Sequence, residues 1–242
     1  MTQAQHCMSS ISDFPGAAAV DEAITSRHSI RAFLDTPISQ AVIEDILKVA
    51  ARAPSGTNTQ PWKVYVLKGA EQKALSDKVL AVVRNPELNA QAKEAYNYYP
   101  DKWVSPYVDR RRKVGWDLYG LLGIGKADKE RMQIQAARNF QFFGAPIGLM
   151  FSIDRVMGQG SWLDYGMFLQ NIMIAARGRG LDTCPQAAWN HYHVTIAQHL
   201  GFGEEEIFVC GMSLGYAKPE SIENTLITER EPLESFASFR GF

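Results

Sequence analysis

The chain has 242 residues, 46% of them hydrophobic, and its 25 basic and 26 acidic side chains leave a formal net charge of -1 at pH 7. That length buries a full core and suits one large domain, while the charge balance excludes the broad basic field of a nucleic-acid or anionic-membrane binder, so any anion site must be local. Cys7, Cys184 and Cys210 are odd in number and far apart, which argues against a disulfide framework and for a reducing, cytoplasmic setting.

The opening MTQAQHCMSSISDFPG lacks a basic segment followed by an apolar one, so residues 1–18 read as a flexible extension rather than a secretory signal, ahead of a domain over 19–242. AAAVDEAITS (17–26) predicts a short helix. ISQAVIEDILKVAARAP predicts a clearer one, with Ser39 as N-cap, Ile43, Ile46, Leu47, Ala50 and Ala51 in one stripe, and Pro54 beyond its end. WKVYVL (62–67) alternates like a strand, and a helical pattern runs on to about Val83. Residues 85–125, rich in Tyr, Trp, Pro, Gly and Arg, show no clean period and read either as an excursion over a binding cleft or as a linker; the aromatics favour the excursion.

Residues 128–143 predict a helix and PIGLMFSI (146–153) a strand. The stretch Trp162 to Gly180 holds Asp164, Gln170, Asn171 and Arg177, too many polar groups for a membrane span, and predicts a buried central helix. HVTIAQHL gives a short helix stopped by Gly201 and Gly203, IFVCGMSLGY (207–216) a strand, and the last 25 or so residues, with Pro219 and Pro232, an extended tail. Helices outweigh four or five strands, which points to an α+β layer. No GxGxxG follows a strand and no GxxxxGK[ST] occurs, so Rossmann and Walker-type sites lack support.

Two stretches carry chemistry. In SRHSIRAF (26–33), extended backbone puts Arg27, Ser29 and Arg31 on one face and His28 and Ile30 on the other. Two guanidinium forks and a hydroxyl suit a phosphate; a solvated edge paired with Asp21 or Glu22 is the alternative. In APSGTNTQPW (53–62), Pro54, Gly56 and Pro61 force an irregular loop crowded with small polar groups. Such a loop either holds the edge of a planar heterocycle or is simply a turn.

Together with G-L-D-T-C-P-Q-A-A (180–188), which follows the long apolar helix, the R-x-S-x-R and P-S-x-T-N-x-Q-P-W motifs make the sequence resemble the nitroreductase family of FMN-dependent oxidoreductases, over residues 20–235 and more weakly across 85–125. The resemblance implies a central, mainly antiparallel sheet flanked by helices, a C-terminal tail wrapping the partner subunit, and a homodimer with FMN at the subunit interface. Arg27, His28, Ser29 and Arg31 match the segment that binds the FMN phosphate and, through its last basic residue, the pyrimidine edge. Pro54, Ser55, Gly56 and Asn58 match a loop that reaches the flavin from the partner subunit. Pro185, Gln186, Ala187 and Ala188 match the segment against the ring, with the Ala187 N–H at N5.

Near the C terminus NTLITER matches the last phosphate contact, Arg230, although Thr228 stands where the family often has lysine. Asn139, with Arg138 and Gln141 as competitors, is the expected further contact to the pyrimidine edge. The implied reaction uses NAD(P)H to reduce nitroaromatic or quinone-type acceptors by ping-pong hydride transfer through flavin N5, with Arg31 stabilising the reduced ring and no catalytic side chain. The alternatives are a flavin-cleaving synthase of the same fold and a non-catalytic flavin-binding or redox-sensing protein.

Other features are read more plainly. His191 and His193 match no zinc spacing, and Cys184 is either a small hydrophobe beside the ring or a reactive thiol. DRRRK (109–113) is a solvated face or part of an entrance that attracts an NADPH phosphate or an anionic substrate. Tyr96, Tyr98, Tyr99, Trp103, Tyr107, Trp116 and Tyr119 line a lid or fill a satellite core. No metal, nucleic-acid or membrane site is expected.

Overall fold

Four strands pair into one antiparallel sheet in the order β1-β2-β4-β3: β1 is Lys63–Lys68, β2 Ile147–Asp154, β3 Asp182–Gln186 and β4 Glu206–Gly215. The computed structural model describes residues 16–241; most of the expected extension over 1–18, and Cys7 with it, lies outside the described residues. Around the sheet are α1 (Ala17–Ser26), α2 (Gln40–Ala50), α3 (Gly69–Arg84), α4 (Pro86–Gln91), α5 (Tyr107–Leu121), α6 (Lys129–Ala137), α7 (Gln159–Arg177) and α8 (His193–Leu200). No helix among the described residues is long and apolar enough to cross a membrane.

The two central strands are covered on both faces, which is why they read as near-continuous apolar runs. On one face Ile147, Leu149, Phe151 and Ile153 of β2, with Met212 and Leu214 of β4, pack against α2 and α7 through Ile43, Ile46, Tyr165, Phe168 and Ile172. On the other, Met150 and Phe208 meet Leu75, Val79 and Leu80 of α3, Ile196 of α8, and Phe140, Phe142, Phe143 and Trp189. The strand β3 is absent from the sequence reading because it is short and contains Pro185; it lies on the sheet edge, where a missing N–H forfeits no ladder bond.

Three expectations need correction. The segment 85–125 contains a 15-residue helix, α5, none of whose residues is buried, so no apolar stripe betrays it; the short α4 starts on Asn85, whose side chain accepts from the N–H groups of Glu87 and Leu88, with Pro86 in the first turn. The helix expected over 128–143 ends as α6 at Ala137 and gives way to a tighter turn, Arg138–Gly144, with Phe142 and Phe143 in the left-handed region at φ 51° and 53°. The third concerns Trp62, which precedes β1 and stacks on Phe168, ring centroids 4.7 Å apart.

Where β1, β2 and β4 meet, the Glu206 carboxylate accepts from Ser152 Oγ (2.5 Å) and Tyr65 Oη (2.8 Å), with Lys63 Nζ 3.4 Å away. Burial by itself raises such a carboxyl, but the hydrogen bonds from Ser152 and Tyr65 and the Lys63 ammonium outweigh it and hold Glu206 below its ordinary value. A depressed carboxylate stabilises the fold above its unfolded pKa, and that share is lost as pH falls through the folded one. Thermal midpoints measured from neutral pH down through the carboxylate range will therefore fall less steeply for Glu206→Gln than for the natural chain; equal slopes would remove Glu206 from the acid response.

Candidate functional site

The segment after α1 is held as a strand-like bridge between β3 and the tail. Ser29 pairs with Thr183 in a parallel bridge, Phe33 with Ala217 in an antiparallel one, and the N–H groups of Ile30 and Leu34 donate to the carbonyls of Thr183 (3.2 Å) and Tyr216 (2.9 Å). Side chains alternate as extended backbone requires. Ile30 is buried in the core beneath α3, and His28 turns to the tail, its Nε2 2.9 Å from the Asn224 carbonyl. Arg27 and Arg31 lie within electrostatic reach of the Cys184 thiol of β3, and Ser29 is close enough to it for a hydrogen bond.

The third cation comes from the tail. Arg230 lies within electrostatic reach of Arg27, whose pKa is lowered first by burial and then by that neighbouring guanidinium. Among the described residues no carboxylate stands within ion-pair distance of Arg27, Arg31 or Arg230, and neither Asp21 nor Glu22 pairs with them. Three like charges gathered without a neighbouring acid are a donor set whose chemistry suits an anion. Thr228, where lysine was noted as common, accepts a 2.7 Å hydrogen bond from Arg230 Nη1 through its hydroxyl, so it orients the arginine rather than adding charge.

The wall beside these cations is built by β3 and the turn that follows. Gln186 is buried, its Oε1 accepting from Ser213 Oγ (2.8 Å) and its Nε2 donating to the Asn139 carbonyl (2.7 Å). Trp189 and Asn190 are likewise buried, whereas Pro185 and Ala188 are exposed and Ala187 is half-buried. Anchored residues thus alternate with presented ones. The same Gln186 bond brings Asn139 to this wall. Its competitor Arg138 is spent elsewhere, on Glu223 Oε1 (2.5 Å) and the Arg31 carbonyl (2.9 Å), and Gln141 lines a cavity of about 530 Å³ behind Arg138, Phe143 and Glu223.

The loop Pro54–Asn58 lies elsewhere in the same chain. The Gly56 N–H donates to Asp164 Oδ2 (3.0 Å) on the first half of α7, while the last turn of α7 reaches the cationic segment through Arg177, which donates to Ser26 Oγ (2.9 Å) and pairs with Asp182 (3.0 Å). Asp164 and Arg177 are thirteen positions apart on the helix, about 20 Å at 1.5 Å per residue. The loop is tightly formed: Thr57, Asn58 and Gln60 all have positive φ, and Ser55 accepts from the N–H groups of Asn58 and Gln60.

Sequence reasoning overlooked two residues that set this geometry. Asn224 Oδ1 accepts from the N–H groups of Arg31 (2.8 Å) and Ala32 (3.1 Å), and its Nδ2 donates to the carbonyls of Ala32 (2.8 Å) and Lys218 (3.1 Å), so one side chain substitutes for a neighbouring strand. Its place at the head of NTLITER was the available signal. Asn190 does the same for the excursion, accepting from the Ala95 N–H (3.0 Å) and donating to the Tyr96 carbonyl (2.9 Å). From there a ladder of rings runs Tyr96, Tyr98, Tyr99, Trp103 with successive centroids 6.4, 4.7 and 5.2 Å apart. Tyr98 and Tyr99 are each 49% exposed, so the ladder is no satellite core.

Fold and site together define an α+β protein with a cluster of cations beside the β3 edge and an aromatic excursion rooted next to it. The model of the Nitroreductase family matches residues 24–216. A 4-nitrobenzoate reductase of Pseudomonas putida is 41% identical over 92% of this chain and 96% of that one, and a chloronitrobenzene nitroreductase of Comamonas testosteroni is 38% identical over 93% and 98%. Among solved structures, the FMN- and NADPH-dependent nitroreductase NfnB of Sphigopyxis sp. strain HMH superposes with a TM-score of 0.88 at 37% identity, covering 92% of this chain and 99% of that one. The chain belongs to the nitroreductase family.

Proposed function

We propose that this chain is a cytoplasmic, homodimeric FMN-dependent reductase that uses NAD(P)H to reduce nitroaromatic or quinone-type acceptors in ping-pong fashion. The observation that carries the reading is the trio Arg27, Arg31 and Arg230, without a carboxylate among them, beside the presented residues Pro185, Ala187 and Ala188. A dianionic phosphate and the electron-rich edge of a flavin are what such donors match. Relatives named for reducing nitrobenzoate and chloronitrobenzene, and a neighbouring structure described as FMN- and NADPH-dependent, support the same assignment.

When bound, FMN supplies hydride transfer at N5. The chain's part is to hold and orient: Arg27, Ser29 and Arg230 at the phosphate, the His28 backbone beside them, and Arg31 at the pyrimidine edge with Asn139. Pro185, Gln186, Ala187 and Ala188 would form the wall under the ring, with the Ala187 N–H as the backbone donor to it. Burial pushes the Cys184 thiol up to about 11 against the pull of Arg31, Ser29 and Arg27, so it stays protonated and is no nucleophile.

A second subunit completes the site. The roughly 20 Å between the anchors of loop Pro54–Asn58 and of the Arg27 segment leaves that loop to serve the partner's flavin. Apolar side chains at 72–73% exposure, Leu163 on α7 and Ile227 and Phe236 on the tail, suit burial against that partner. So does the open β1 edge, beside which Ile38, Ile43, Leu47 and Val66 line a cavity of about 440 Å³. The test is stopped-flow flavin absorbance on FMN-reconstituted protein: NADPH or NADH bleaches the flavin, and nitrobenzoate or a quinone restores it. Protein that retains no FMN after reconstitution refutes the assignment, and oxygen-dependent destruction of the chromophore reassigns it to flavin cleavage.

A further inference from the structure

Arg230 stands between Glu229 and Glu231 in sequence, an unpromising place for a phosphate contact, because two free carboxylates beside one guanidinium leave net negative charge. Both carboxylates are drawn onto α5. Glu231 Oε1 pairs with Arg110 Nη2 at 2.9 Å, and Glu229 Oε1 lies 3.4 Å from Lys113 Nζ, an ammonium it shares with Asp117 at 2.7 Å. Arg110 and Lys113 are three apart on the helix and so share a face. Among the described residues Arg230 itself bonds to the Thr228 hydroxyl and to the carbonyls of Thr228 and Glu229. Elsewhere on α5, Arg111 lies 5.4 and 4.8 Å over the rings of Tyr99 and Trp103, so one exposed helix is tied both to the tail and to the aromatic ladder. With no fully buried residue on α5, these ionic and aromatic contacts add to the partial burial of Val114, Leu118 and Leu121 in docking the helix.

We infer that Arg110 and Lys113 are positioning residues for the flavin phosphate: by holding Glu231 and Glu229 on α5 they keep both carboxylates off Arg230, and they couple phosphate seating to the docking of the aromatic excursion. The inference rests on the reading of Arg230 as a phosphate contact. It assigns the basic run a task inside the molecule.

The test compares FMN with riboflavin, which lacks the phosphate, by fluorescence titration of the apoprotein. In Arg110→Gln/Lys113→Gln, FMN binds roughly 3- to 10-fold more weakly, the range that two exposed ion pairs command, while riboflavin affinity is unchanged. Adding Glu229→Gln/Glu231→Gln to that variant restores FMN affinity, because the acids that must be kept off Arg230 are gone. In the natural chain FMN, and not riboflavin, slows amide exchange across α5. Equal losses for FMN and riboflavin, no loss of FMN affinity, or no recovery in the quadruple variant each overturn the inference. Arg230→Ala separates the two levels: if it leaves FMN affinity intact, the phosphate reading itself fails, and if it weakens FMN while the Arg110/Lys113 variant does not, only the coupling fails.

Discussion

Replacing Arg27 with Ala is expected to weaken FMN binding by about 1.5–3 kcal/mol, the worth of a hydrogen bond to a charged group, or about 10- to 150-fold in dissociation constant. The size follows from what surrounds the guanidinium. It is partly buried and among the described residues has no carboxylate within ion-pair distance, so its attraction for an anion is not offset by a competing pair there. The apoprotein should respond in the opposite sense. Arg230 is its like-charged neighbour, and removing one of two mutually repelling cations relieves the empty site. Denaturant unfolding of flavin-free Arg27→Ala should therefore show stability equal to or above that of the natural chain while its flavin affinity drops. Arg27→Lys should fall between, since an ammonium keeps the charge and loses the planar fork. Unchanged FMN affinity in the alanine variant would strip Arg27 of its role.

The motifs behind that expectation were legible because they are local. Alternation along extended backbone is a property of neighbouring residues, so the sharing of one face by Arg27, Ser29 and Arg31 could be read from SRHSIRAF before any fold was known, and α2 could be read from Ser39 and its stripe in the same way. What escaped depends on partners far along the chain. Asn224 meets Arg31 across 193 residues and Asp164 meets Gly56 across 108, and no spacing rule links them. The helix α5 escaped because its stabilising contacts are ionic and aromatic, with no buried stripe to set a period. The corner at Phe142 and Phe143 escaped for a different reason: left-handed backbone is costly for bulky residues, and only the tertiary setting repays it. Phe142 fills the floor opened by Gly148, where a Cβ would lie 2.4 Å from its ring, and the Phe143 carbonyl accepts from the Phe33 N–H at 3.2 Å.

The second large effect is expected at Trp189, which supports the wall formed by residues 185–188 from beneath. Its side chain is fully buried, against Phe142 at 4.7 Å and Phe140 at 5.3 Å between centroids, and it fits over the sheet because Gly211 has no side chain: a Cβ there would lie 2.6 Å from Trp189 Cδ1. Trp189→Ala should destabilise the fold by about 3–5 kcal/mol, as large-to-small core substitutions do, and should release the flavin, since Ala187 and Ala188 lose the anchor that presents them. Trp189→Phe should cost far less, because the indole Nε1 has no hydrogen-bond partner to forfeit. Gly211→Ala alone overpacks the same contact and should cost about 1–3 kcal/mol. Placed in the Trp189→Ala chain, the added methyl enters vacated space, so the double variant should be more stable than the sum of the single losses allows, with a coupling of about 0.5–3 kcal/mol. Urea unfolding of the four proteins measures that coupling directly. Strict additivity would mean that Trp189 and Gly211 do not meet across the sheet, and the wall would then need another support.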